Sequence, residues 1–346
     1  MSHTSYYVTG NTAEGFINLL NSNLQGIDKV IVLKHESNKI KTKILTHLIN
    51  NFEQETGMEV LLSSLGEEYL DGVIVREKSL AIISDRISPK ELKNTIEFDL
   101  TNYIAEISNR EMENSKNTFE SLTHKAYDQF AQGLEIHDNL ESIYIDEMDF
   151  DRADELADQF INDLFTDITK KNNESIVYKR LFGTNTPEGS VNIVPELIST
   201  LDHAYFIKGR AGTGKSTFMK KVLAVCKELG FDIELYHCSF DPKSIDMVLV
   251  RELSFCIFDS TNPHEFFPEK KGHKVIDMYE KTVTPGTDEK YAEQIQSVSS
   301  HYKSYMKKGM ELLKEANQYL EKIENKYEVT YNVKDKIMND MLCELS

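Results

Sequence analysis

Residues 209–216 read Gly209-Arg210-Ala211-Gly212-Thr213-Gly214-Lys215-Ser216, a glycine-framed run closed by a lysine and a hydroxyl. Before it stands the short apolar run Ala204-Tyr205-Phe206-Ile207, which suits a buried strand. After it Phe218, Met219, Val222, Leu223 and Cys226 recur at helical spacing, and Gly230 suits the helix end. Each fixed position has a physical task. Glycines admit φ > 0 and turn backbone N–H groups inward as an anion nest. Lys215 can then reach β- and γ-phosphates, the Ser216 hydroxyl can sit on Mg²⁺, and the helix N-terminus favours phosphate. Gly209, Arg210, Ala211, Gly212, Thr213, Gly214, Lys215, Ser216 and Thr217 are therefore the expected nucleotide cradle.

The chain also matches itself. Asn11, Thr12, Glu14, Gly15, Asn18, Asp28, Lys34 and Lys41 recur 174 positions later as Asn185, Thr186, Glu188, Gly189, Asn192, Asp202, Lys208 and Lys215. Asp85, Pro89 and Glu91 recur as Asp259, Pro263 and Glu265. Between these blocks the offset slips by one, pairing Asp71, Val73, Val75, Arg76 and Glu77 with Asp246, Val248, Val250, Arg251 and Glu252. So long a period predicts two copies of one domain rather than a solenoid. The polar stretch Lys170-Lys171-Asn172-Asn173 puts the boundary between residues 1–172 and 173–346.

The copies differ where chemistry would be done. The first reads His35-Glu36-Ser37-Asn38-Lys39-Ile40-Lys41-Thr42, with lysine and hydroxyl kept and all three glycines replaced. Ile40 stands at the place of Gly214, where a β-branched residue resists φ > 0. Glu36 adds negative charge to the phosphate path. The first copy is thus expected to be a pseudo-domain without turnover. The segment around Gly10–Gly15, repeated at Gly183–Gly189, survives where the glycines do not, so a structural role such as a helix cap is expected for it.

In each copy short apolar runs follow the loop helix, at Glu59–Leu62, Val73–Val75 and Leu80–Ile83 and at Ile233–His237, Met247–Val250 and Phe255–Phe258. Strands alternating with helices predict an α/β fold with a mostly parallel sheet and flanking helices, duplicated in tandem. Each copy then carries a long amphipathic helical segment, residues 287–326 and roughly Leu92 to Leu164. Such a segment packs on a sheet or helix, or grips a protein partner.

The run Phe255-Cys256-Ile257-Phe258-Asp259 ends in the carboxylate that a phosphate loop needs on the Mg²⁺ side, which makes Ser216 and Asp259 the metal candidates. Ser260 follows, not the glutamate that many ATPases use to activate water. The group that positions the nucleophile must then come from elsewhere. Glu265 and Asp241 are the candidates, since ligands of parallel α/β sheets gather at the strands' carboxyl ends. Each could equally cap a turn. Arg210 and Arg251 could neutralise transition-state charge, or form ordinary salt bridges.

With 57 acidic against 39 basic side chains, the net charge is −18, which disfavours nucleic acid as a partner. Cys226, Cys238, Cys256 and Cys343 lack zinc spacing. No run approaches a membrane span and no signal peptide is visible, so a cytoplasmic location is expected.

Taken together, GRAGTGKST at 209–217, YHCSFDP at 236–242, IFDSTNPHEFFP at 257–268 and PGTDEKYAE at 285–293 resemble a family of tandem-repeat, P-loop ATPase-like (nucleotide-kinase-like) bacterial proteins of spore-forming Gram-positive organisms. The resemblance covers nearly the whole chain. It implies a P-loop NTPase fold with ATP and Mg²⁺ as ligands, and it names no substrate. The expectation is an ATPase whose working site is in the second copy, with catalytic candidates Lys215, Glu265 and Asp241. The alternatives are a small-molecule or nucleotide kinase, and a non-catalytic ATP-gated module that binds a protein. The two copies could suffice as an internal pseudo-dimer.

Overall fold

The computed structural model describes residues 3–52, 57–92, 94–262 and 264–344; Pro263, one of the repeated positions, lies outside them. The first half runs β1 (Thr4–Tyr7), hairpin β2 (Thr9–Thr12) and β3 (Gly15–Asn18), α1 (Leu20–Asn23), β4 (Lys29–Lys34), α2 (Asn38–Asn51) and β5 (Met58–Leu62). It continues through β6 (Leu70–Val75), β7 (Leu80–Ser84) and β8 (Thr95–Asp99) to α3 (Arg110–Ile145) and α4 (Phe150–Phe165). The second half runs β9 (Val177–Leu181), hairpin β10 (Gly183–Thr186) and β11 (Gly189–Asn192), α5 (Val194–Ser199), β12 (His203–Lys208), α6 (Lys215–Glu228) and β13 (Ile233–His237). Then come β14 (Ile245–Val250), β15 (Phe255–Asp259), β16 (His273–Asp277), α7 (Met278–Thr282), α8 (Thr287–Lys290), α9 (Ala292–Glu324) and α10 (Tyr331–Cys343).

One twelve-stranded sheet runs through both halves in the order β16-β12-β15-β14-β13-β9-β1-β5-β6-β7-β4-β8. Read inwards from either edge, the strands occupy the same places in their own half, and the two series meet at the antiparallel β9–β1 junction. The architecture is α/β with helices flanking a mostly parallel sheet: six junctions between neighbouring strands are parallel and five antiparallel among the described residues. Four of the antiparallel ones have a local cause, β9–β1 being the junction of the two halves. The links β5–β6–β7 and β13–β14–β15 are short turns, and a parallel crossover needs a dozen residues or more.

Two strands go beyond the sequence reading. β8 and β16 are the sheet's edges, each with a single buried residue, Phe98 and Ile276, so they carry little hydrophobic signal. Residues 95–99 therefore correct the expectation that the segment from Leu92 onwards is helical.

The halves are joined by polar groups as well as by a continuous apolar core from Tyr6 to Phe258. Asn11 Nδ2 donates to the Asn185 carbonyl at 2.8 Å, and Asn185 Nδ2 returns the bond to the Asn11 carbonyl at 3.0 Å. That reciprocal pair accounts for the repeated polar segment. Its last members, Asn18 and Asn192, accept from the N–H groups of Leu20 and Val194 where the next helices start. Nearby, the fully buried Arg180 guanidinium lies 3.1 Å from Glu59 and 2.9 Å from Glu234, and stacks 3.6 Å over the Tyr6 ring. Burial alone would raise the Glu234 carboxyl; Arg180 and Arg251 outweigh it and hold the group down at about 2.

The long helices α3 and α9 pack along each other in opposite directions. Phe119 meets Leu320 near one end, Phe130 meets Leu313 in the middle, and Leu140 and Tyr144 meet Ile295 and Val298 near the other. Their continuations cross over. Ile323, Tyr327, Ile337 and Met341 complete the core under α2, while Ala157 and Phe165 of α4 complete the core under α6. Each half's core is thus completed in part by helices from the other half. No described helix is long and apolar enough to cross a membrane.

Candidate functional site

β12 ends at Lys208, α6 begins at Lys215, and the glycine-rich loop joins them. Gly212 and Gly214 both have φ +76, a left-handed conformation that side chains resist. Gly212 also solves a packing problem, because a Cβ there would lie 2.5 Å from the Glu141 carbonyl oxygen of α3. Thr213 Oγ1 ties the turn, accepting from Arg210 N at 3.1 Å and donating to the Arg210 carbonyl at 2.8 Å.

Lys215 is 9 % exposed, and its ammonium lies across the loop. Nζ donates to the Arg210 carbonyl at 2.6 Å and stands 3.5 Å from Asp259 Oδ2. Asp259 reaches it because β15 neighbours β12, with Asp259 in register with Ile207. Its other oxygen accepts from Thr261 N at 3.1 Å and Thr261 Oγ1 at 2.5 Å. Ser216 Oγ accepts from Ile245 N at 3.2 Å, fixing the start of α6 to the start of β14. Arg210 pairs with Asp288 at 2.8 Å and covers the Tyr279 ring; Ala211 and Tyr279 both pack against the Leu140–Tyr144–Val283 cluster, and Thr217 lines the cleft.

The two candidates for positioning a nucleophile are otherwise engaged. Asp241 holds its own turn, accepting from Lys243 N at 3.1 Å and Ser244 Oγ at 2.9 Å. Glu265, half exposed, pairs with Lys208 at 3.1 Å. Both still line the cleft. Ser260 is buried in a turn, bonded to Phe266 O at 2.9 Å and Phe266 N at 3.0 Å. Arg251 lies away from this constellation. It precedes the N-terminal end of β15, whereas Asp259 is at the C-terminal end, and it pairs with Glu234 at 2.7 Å.

The sequence marks one carboxylate at the site only as a repeat match. Asp246, 8 % exposed, opens β14 and lines the same cleft. Burial, and then the charge of Asp259, raise its carboxyl well above the usual range. Its match in the first half, Asp71, has a counter-ion in Arg86 at 3.0 Å; Ser260 stands where the offset of 174 would place that arginine.

The cleft has a volume of about 1860 Å³. Its floor is the loop and the carboxyl ends of the strands, and its walls are α3 and α9, with His137, Glu141 and Tyr144 on one and Tyr302, Met306 and Lys314 on the other. His137 stands edge-on to Phe240 and Tyr302, with centroids at 5.7 and 5.3 Å, and burial holds its imidazole below the ordinary value. Nothing in the spacing of the helical segments reveals this wall, since α3 belongs to the other half of the chain.

The first half's loop keeps part of this design. Lys41 Nζ lies 2.5 Å from Asp85, and Thr42 Oγ1 accepts from Leu70 N at 3.0 Å, matching Lys215–Asp259 and Ser216–Ile245. The backbone differs. α2 starts at Asn38, three residues earlier than the match to Lys215 would require, so Ile40 sits inside a helix with no need of positive φ.

No protein-family profile, curated protein or solved structure matches this chain. Among the described residues no group of three or more His, Cys, Asp or Glu is arranged to hold a metal. Mg²⁺ beside a nucleotide does not need one, because it is held by phosphates, water and one or two side chains.

Proposed function

We propose that the second half is a P-loop NTPase module that binds Mg·ATP at Gly209–Thr217 and hydrolyses it, and that the first half is a duplicated pseudo-domain. The observation that carries this reading is Lys215, held between the Arg210 carbonyl and Asp259 at the floor of an open cleft. An incoming γ-phosphate would replace those two partners with a stronger charge-assisted one. The loop amides and Lys215 would hold phosphate charge, and Ser216 and Asp259, with Asp246 behind, would hold Mg²⁺. The metal would supply neutralisation of charge on the transferring group. ATP rather than another nucleotide is implied by the family resemblance of the four sequence segments. The matched strand order on either side of the β9–β1 junction supports the duplication.

One observation favours a second reading. A cleft of about 1860 Å³ exceeds the roughly 300–1,000 Å³ of most single small-molecule sites. With Asp241 and Glu265 engaged elsewhere, the extra room suits a phosphoryl acceptor, making the protein a kinase. The test is ADP release from Mg·ATP by the wild type and Lys215→Ala, with nucleotide binding measured in parallel. Turnover lost in the variant is the result expected of an NTPase. Binding without turnover moves the weight to a kinase awaiting its acceptor or to an ATP-gated binding module. No binding by the wild type overturns all three.

A further inference from the structure

The first half's loop does not stand empty. Glu324, the last residue of α9 and only 1 % exposed, places its carboxylate on the start of α2. Asn38 N donates to Oε1 at 2.8 Å, Lys39 N donates to Oε2 at 3.0 Å, and the Ser37 hydroxyl donates to Oε2. Asn38 Nδ2 adds a long contact at 3.4 Å. By the offset of 174, Ser37, Asn38 and Lys39 are the matches of Ala211, Gly212 and Thr213 in the second half's loop. A buried carboxylate from a segment some 285 residues away is thus seated on the residues whose sequence matches lie in the second half's expected cradle.

We propose that the first half retains an oxyanion site and that the chain fills it with its own Glu324 as an internal ligand. The chemistry matches that of a bound phosphate: two backbone N–H groups, a hydroxyl and a helix N-terminus converge on two anionic oxygens. Burial makes the arrangement costly to leave empty, because three donors would lose their acceptor away from water. The consequence concerns α9. Its earlier turns carry Tyr302, Met306 and Lys314 into the wall of the second half's cleft, and its last turn is clamped here. The first half so fixes one wall of the other half's site, and its own loop is closed to nucleotide in the native chain. This inference does not depend on whether the second half turns nucleotide over.

The test is the anion dependence of thermal stability in the full-length wild type and Glu324→Ala, with inorganic phosphate as the probe. The variant should melt lower than the wild type without phosphate. Phosphate should then raise its melting temperature saturably, by on the order of 3 °C more than it raises the wild type's. Subtracting the wild-type response removes phosphate binding at the second loop and general salt effects. If the variant does not fold without phosphate, refolding yield with and without it replaces the melt, and recovery with phosphate is the supporting result. A phosphate response equal to the wild type's, or no recovery on refolding, overturns the proposal.

Discussion

The two loops of this chain start from matched residues and reach opposite electrostatic ends. In the first half the matched groups are paired: Lys41 with Asp85, Asp71 with Arg86, and the start of α2 with Glu324. In the second half, glycines keep the loop open, Ser260 stands at the place of Arg86, and Lys215 faces two carboxylates, Asp259 and Asp246. More than the glycines therefore separates the two loops. In the first loop the helix starts three residues earlier than the match would require, and the Glu324 carboxylate lies on that start. In the second half the loop lies at the floor of an open cleft, where burial and then Asp259 raise the Asp246 carboxyl.

The junction both halves share should respond most to mutation. Arg180→Met leaves Glu59 and Glu234 buried without their common cation, and should cost about 3–5 kcal/mol in a denaturant melt. A loss within error of zero would mean that the halves do not depend on this cluster. Acid tests the same place. Glu234 is held at about 2 in the folded protein, below its ordinary value of 4.5, so its contribution is full above about pH 4.5. That contribution is lost as pH falls from there through about 2. Glu234→Gln should flatten the stability–pH slope in that window; an unchanged slope would assign acid unfolding to other groups.

Next in size is the lysine pair. Lys215→Ala should weaken nucleotide binding about 10–100-fold, the value of a charged hydrogen bond, whereas Lys41→Ala should leave nucleotide affinity unchanged. Calorimetric titration of both variants decides it, and equal losses would make the first half a nucleotide site after all. The smallest effect compares Gly212 with its match Asn38. Gly212→Ala places a Cβ at positive φ against the Glu141 carbonyl and should cost about 1–3 kcal/mol. Asn38→Ala removes only a 3.4 Å side-chain contact and should shift the melt far less. Equal shifts would sink the idea that the open loop depends on its glycines for packing against α3.

Much of the fold was legible in the residues. The apolar runs at 59–62, 233–237 and 255–258 became β5, β13 and β15, and the periodic segment beginning at 287 became chiefly α9. The edge strands β8 and β16 were not legible, because a strand with one buried side chain leaves no alternation to read. The candidate site divides the same way. The run from Gly209 to Thr217, with Asp259, is a local pattern, and the parallel β12–β15 pair brings those residues together as a strand–loop–helix unit requires. Asp241 and Glu265 were readable as polar residues after strands, but whether such a carboxylate faces a ligand or its own turn depends on bonds that spacing does not encode.

The recurrence of residue types and their offsets set which segments form strands, helices and a glycine-framed turn. Those outcomes follow from local propensity and short-range periodicity. Only the tertiary structure decided that α3 of the first half walls the second half's cleft, that Glu324 fills the first half's loop, and that Asp246 stands beside Asp259. The first two join groups far apart in the chain through the packing of α3 against α9, and the third follows from the antiparallel pairing of β14 with β15. No local pattern of residues carries that information.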